Sequence, residues 1–157
     1  MQIINKIQKG LGVFLKAGTI LSTFGFIGIT LIQIYGRFFM DKAPSWTEEA
    51  SRLLFVFAIA FSSGLAMKTD FYVSFDFIFN KFSKIWQKHL LKATYLFVIV
   101  LCIIFTFYGM QLVEAGWKEQ SPSMKFPMAI AFISMPLMGL TIGIYALLKM
   151  FKLFKTK

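Results

Sequence analysis

Acidic residues are scarce in this chain. Seven Asp and Glu stand against 17 Lys and Arg among 157 residues, with one histidine and one cysteine. A single histidine, His89, excludes a bis-histidine haem site and a conventional zinc cluster. It follows Lys88 on a polar surface segment, so a Ser–His catalytic pair has no support either. The lone Cys102 lies inside an apolar run and reads as a small packing residue, which leaves no disulfide framework and no thiolate metal site. Asp70 and Asp76 are six apart with no third ligand nearby in sequence. No enzyme, metal or cofactor chemistry is expected.

Charge of either sign is also rare. Charged residues make up 15% of the chain and hydrophobic ones 57%, with mean hydropathy +0.69, whereas soluble domains are roughly 25% charged. Four runs carry no charge at all: 17–36, 53–67, 93–113 and 126–148. About 20 apolar residues cross a bilayer core of roughly 30 Å. Three runs are long enough outright, and a soluble globular domain is excluded. The pattern predicts an all-α integral membrane protein with four transmembrane helices.

The net charge of +10 could suggest nucleic acid, but the lysines flank the apolar spans instead of forming a basic face. They set topology. Segments 1–16, 68–92 and 149–157 hold twelve Lys, whereas 37–52 and 114–125 hold five Lys and Arg. The richer side is expected to be cytoplasmic, which places both termini inside.

The expected organisation is one membrane domain over 1–157. Ile3, Ile7, Leu11 and Phe14 predict an interfacial amphipathic helix over 1–16. Basic residues before an apolar run resemble a signal peptide, but the run is too long and no small-x-small cleavage site follows. The first span is therefore read as retained, over 17–39. Pro44-Ser45-Trp46-Thr47-Glu48 precedes the second, over 46–68, with Pro44 as a stop and Ser45/Glu48 as a capping box. Glu48 and Glu49 suit the positive end of the helix dipole, and Arg52 is within reach of either. Phe71, Phe75, Ile78, Phe82 and Ile85 predict a cytoplasmic-surface amphipathic helix over 70–90. The third span is expected at 92–114. The fourth, over 126–149, carries Pro127 in its first turn and a kink at Pro136.

Small residues four apart mark faces where helices approach closely. Gly139 and Gly143 form one such pair, Ala58 and Ser62 a second, Ala60 and Gly64 a third, and Gly18 and Ser22 a fourth. No carboxylate or basic side chain lies within the charge-free spans, although a carrier coupled to ions by itself usually buries one. This favours a subunit or scaffold. Trp46, Glu48, Glu49, Arg52, Trp117 and Lys118 collect on the external side and are the candidate partner-contact residues. Capping, an ion pair and aromatic anchoring account for the same residues structurally.

Pro44-Ser45-Trp46-Thr47-Glu48-Glu49-Ala50-Ser51-Arg52-Leu53-Leu54-Phe55 resembles the start of the second span in the small membrane subunit (DctQ-type) of tripartite ATP-independent periplasmic (TRAP) transporters. Ser63-Gly64-Leu65-Ala66-Met67-Lys68 with Val73 and Asp76 resembles that family's cytoplasmic turn. Ser121-Pro122, Pro127-Met128 and Pro136 resemble its fourth span. The chain departs at Asp70-Phe71-Tyr72-Val73, where family members often carry Glu-His-Ile, so no histidine chemistry is needed there. The resemblance implies a subunit of the bacterial inner membrane paired with a large elevator-type membrane subunit that holds the substrate and sodium sites. It also implies a periplasmic substrate-binding protein that delivers an organic acid, of sialic acid or C4-dicarboxylate type. Lipid is the remaining expected partner. The alternative is a free-standing four-helix homo-oligomeric transporter or channel, which needs a mid-span ionisable residue or polar stripe, and neither is visible. An assembly or regulatory membrane protein is a further rival.

Overall fold

The computed structural model describes residues 2–40, 44–69, 81 and 83–155. They form helices α1 (Gln2–Phe39), α2 (Trp46–Thr69), α3 (Lys84–Gly116), α4 (Ala129–Phe132) and α5 (Ser134–Lys155). Four segments are long and apolar enough to span a membrane, with α4 and α5 together making the last. The chain is an all-α, four-span membrane protein.

The helices lie in a row in which α2 packs between α1 and α5, and α3 covers the other side of α5. The ends of the row are therefore two broad apolar faces. Leu21, Phe24 and Leu31 on α1, and Phe97, Ile103 and Phe107 on α3, are all exposed. At the seams the buried residues are mostly small: Ala60, Ala129 and Ala146. Lipid tails are as apolar as leucine, so association depends on close approach and dispersion contacts more than on removal of apolar surface from water. Leu15, Met67, Ile99, Tyr145 and Ala146 form the core where the four spans meet.

Residues 2–16 and 17–39 are one continuous helix. The surface and spanning segments share a period of 3.6 residues, and no proline separates them. At 1.5 Å per residue α1 is about 57 Å long and α3 about 50 Å, well beyond a bilayer core of roughly 30 Å. The segment before Lys84, where most of the second surface helix is expected, lies largely outside the described residues. From Lys84 onward that helix runs unbroken into the third span.

The fourth span is interrupted at Ile133, three residues before Pro136. Proline has no N–H for the carbonyl of residue i−4, here Phe132, and its ring crowds that carbonyl. The break therefore appears one turn upstream of the proline. Pro127, expected in the first helical turn, instead pairs with Gln120 in an isolated bridge ahead of α4.

Contacts across the row fix which ends coincide. The Tyr145 hydroxyl donates to the Gln8 carbonyl at 3.3 Å, and Lys92 Nζ lies 4.4 Å from the centre of the Phe154 ring. These join the early part of α1, the beginning of α3 and the end of α5. At the opposite end, the start of α2 meets the loop between α3 and α4.

Candidate contact site at the loop end of the bundle

The start of α2 organises this end. Thr47, fully buried, donates its hydroxyl to the Pro44 carbonyl at 2.7 Å, and its N–H reaches the same carbonyl at 3.2 Å. Ser45 does not act through a capping box with Glu48. Its hydroxyl accepts from the Ser123 hydroxyl at 2.9 Å. Glu48 reaches forward to Arg52 at 3.2 Å, and both side chains are mostly exposed. Of the two glutamates within its reach, Arg52 pairs with Glu48, four residues before it.

Glu49 is the centre of the site. Its carboxylate accepts the Ser121 hydroxyl, the Ser123 N–H at 2.9 Å on one oxygen and the Met124 N–H at 2.9 Å on the other. Hydrogen bonds to a charged acceptor are stronger than neutral ones. Together they tie the loop after α3 to the first turn of α2.

The loop is shaped to present those donors. Ser121 N–H bonds the Phe126 carbonyl at 2.9 Å, Lys125 N–H bonds the Ser121 carbonyl at 3.1 Å, and Met128 N–H bonds the Glu119 carbonyl at 2.9 Å. Lys125 closes the turn with φ 56°, a left-handed conformation that costs a non-glycine residue about 1–2 kcal/mol. The turn persists because its backbone is fixed on both sides. At its root Gly116 lets α3 approach α4 closely: a Cβ there would stand 2.7 Å from the Ala129 nitrogen.

Around this clamp the surface is mixed. Trp46 is 43% and Trp117 61% exposed, and Lys118, Met124 and Lys125 are exposed beside them. Aromatic rings with charges of both signs suit protein contact as well as a headgroup layer. Five of the six sequence-predicted contact residues lie on the surface, and Glu49 turns inward to hold the loop. In the sequence Ser45 is expected to cap α2 and Ser121 carries part of the resemblance, but neither they nor Ser123 stand out as partners across the two loops. Neither the Ser-Pro-Ser run at 121–123 nor the Ser45/Glu48 spacing reveals a partner more than 70 residues away. Among the described residues no three His, Cys, Asp or Glu side chains converge as a metal site would require.

The small residues occupy distinct places. Gly64 faces Thr141, where an added Cβ would stand 2.7 Å from the Thr141 Cβ, with Leu15 at 3.1 Å. Gly139 and Gly143 both face α3: a Cβ at Gly139 would stand 2.5 Å from the Thr106 hydroxyl, and at Gly143 3.3 Å from the Cys102 Cβ. Ala58 and Ser62 are half-buried, and Ser62 bonds back to the Ile59 carbonyl of its own helix. The tight face of α2 carries Ala60 and Gly64, both buried.

Comparison with known proteins agrees with this architecture. A family model described as the DctQ component of tripartite ATP-independent periplasmic transporters matches residues 26–156. A putative TRAP transporter small permease protein of Haemophilus influenzae is 23% identical over 150 residues, covering 96% of this chain and 91% of that protein. A sialic acid TRAP transporter permease protein from another strain of the species is 28% identical over 111 residues, covering 71% of this chain but only 17% of that longer protein. Four apolar spans over nearly the full length of a small permease, and a family match over most of the chain, lead to one assignment: the chain belongs to the DctQ-component family of tripartite ATP-independent periplasmic transporters.

Proposed function

We propose that this chain is a non-catalytic scaffold subunit that braces a much larger, elevator-type membrane subunit for sodium-coupled uptake of an organic acid of sialic acid or C4-dicarboxylate type. The observation that carries this reading is the row of helices with two unpartnered apolar faces and no acidic or basic side chain inside its charge-free runs. Such a body has surface to offer a partner and no charged side chain of its own with which to couple to an ion in mid-membrane. The alignment to a short part of a far longer sialic acid permease supports the same reading, because a segment of this type is there joined to a much larger chain.

In this arrangement both termini are cytoplasmic in a bacterial inner membrane, and the clamped loop faces the periplasm. Trp46, Glu48, Arg52, Trp117 and Lys118 provide contacts for the periplasmic substrate-binding protein. Glu49 holds the loop that carries two of them in place. The substrate and sodium sites belong to the larger subunit.

The test is a mild-detergent pull-down of the tagged chain from its native membrane, with mass analysis of what accompanies it. A stoichiometric polytopic partner several times its mass is expected. A chain that purifies alone, or only with copies of itself, overturns the scaffold reading and favours the homo-oligomeric carrier.

A further inference from the structure

Hydroxyls inside the spans mostly satisfy themselves. Thr19, Thr30, Thr106 and Thr141 each donate to a carbonyl three or four residues back on their own helix. Gln111 is different. It lies in the charge-free run of α3, six residues before Trp117 and so about 9 Å inside it along the helix. Its side chain is exposed, and so is that of Glu114, one turn nearer the clamped loop. Among the described residues neither side chain makes a hydrogen bond or an ion pair.

Two seams run along opposite faces of α3. Ile99, Cys102, Gly109, Val113 and Gly116 are buried. They meet the last span, where Pro136 lies against Gly109 and Ala129 against Gly116. Phe97, Val100, Ile104, Phe107, Gln111 and Glu114 recur at alternating steps of three and four on the other side, and all are exposed. Such steps line up side chains for packing against a neighbouring helix. The free face of α1 is a control within the same molecule. Its exposed Leu21, Phe24, Ile27 and Leu31 are apolar throughout, as contact with lipid requires. The α3 seam instead ends in an amide and a carboxylate. A glutamine in a span ordinarily bonds across to another helix, and an acid at the edge of a span turns toward protein or water.

We propose that the outward seam of α3, from Phe97 to Glu114, receives a transmembrane helix of the larger subunit. That helix carries a hydroxyl or amide at the depth of Gln111 and a basic side chain opposite Glu114. The proposal rests on the scaffold reading above and names the face through which the bracing occurs. Charge complementarity selects the occupant. A second copy, inserted in the same orientation, would set Glu114 against Glu114 across a two-fold axis, where like charges repel. A helix with a cation there relieves the acid. Shape adds a requirement: Phe97, Ile104 and Phe107 are bulky, so the incoming helix supplies the small residues that let the two approach. The apolar face of α1 is left to lipid.

The test places a photo-crosslinking phenylalanine analogue in place of Phe107 or of Phe24 in the full tagged chain, expressed with the rest of its transporter in the native membrane. An adduct with a polytopic protein several times the mass of the chain is expected from position 107 and not from position 24. The pair Gln111→Leu and Glu114→Leu should leave the melting temperature of the isolated chain unchanged, because neither side chain is bonded within it. The same pair should lower the co-purified larger subunit at least about five-fold, the scale of one interhelical hydrogen bond. Full co-purification by the double variant, no adduct from position 107, or an equal adduct from position 24 overturns the proposal. If the larger subunit still accompanies the unaltered chain in those cases, the scaffold reading stands without it. An adduct between position 107 and a second copy of the chain overturns it in favour of a dimer. An unaltered chain that brings down no larger protein removes the scaffold reading, and this proposal with it.

Discussion

Glu49, in the first turn of α2, accepts the hydroxyl of Ser121 from the loop that follows α3, 72 residues later in the chain. The same carboxylate takes two N–H groups of that loop. One acid thus connects the first helix pair to the second at the end where the candidate contact residues lie. Trp46 and Trp117, on separate helix ends, are held in one surface by a bond between neither of them.

This makes Glu49→Ala a loop-releasing substitution. All three donors lose their acceptor at once, and Lys125 loses the frame that keeps it at positive φ. Trypsin cleavage after Lys118 and Lys125 of the detergent-solubilised chain should become several-fold faster, because cleavage follows the population of the open loop. Helix content by circular dichroism should change little, since α2 has its own stop at Pro44 and Thr47. Glu49→Gln should fall between, as its amide keeps an acceptor oxygen but meets the remaining donors with N–H. An unchanged digestion pattern in Glu49→Ala would mean that the clamp does not hold the loop.

The spans were legible because a run of about 20 apolar residues has few readings other than a membrane helix. Their ends were less so. The amphipathic start of α1 and its apolar continuation have the same period, so nothing in the sequence marks where one yields to the other. Small residues were visible on two faces of α2, Ala58 with Ser62 and Ala60 with Gly64. Positions 58 and 60 are about 200° apart around a helix, and only the neighbours decide which face is packed. Glu49 was legible as an interfacial acid. Its role was not, because a clamp across more than 70 residues leaves no local periodicity.

The glycines offer a comparison within one molecule. Gly64 and Gly28 both sit in spans, but a Cβ at Gly64 would stand 2.7 Å from Thr141, whereas at Gly28 nothing lies within 4 Å. Thr141 is itself buried and bonded to the Met138 carbonyl at 3.1 Å, so it has little room to move. Gly64→Ala should destabilise by about 1–3 kcal/mol through overpacking. Gly28→Ala should be neutral or gain up to about 1 kcal/mol from helix propensity. Gly116→Ala should be among the costliest, because the Ala129 backbone is what its Cβ would meet. Thermal denaturation in one detergent ranks the three. Equal effects at Gly64 and Gly28 would contradict the close α2–α5 approach.

The pair Glu48–Arg52 separates folding from assembly. It is an i,i+4 pair at 3.2 Å with both side chains mostly exposed, and such pairs contribute about 0.3–0.5 kcal/mol. Charge reversal at either residue, Glu48→Arg or Arg52→Glu, should therefore leave the melting temperature of the isolated chain almost unchanged. If the two residues meet a partner, each reversal should lower the yield of co-purified large subunit or binding protein. The double swap, which rebuilds the pair in the opposite sense, should restore part of it. A fall in assembly without a fall in stability assigns the pair to contact. Equal assembly by all three variants removes Glu48 and Arg52 from the interface and leaves Trp46, Trp117 and Lys118 as its remaining candidates.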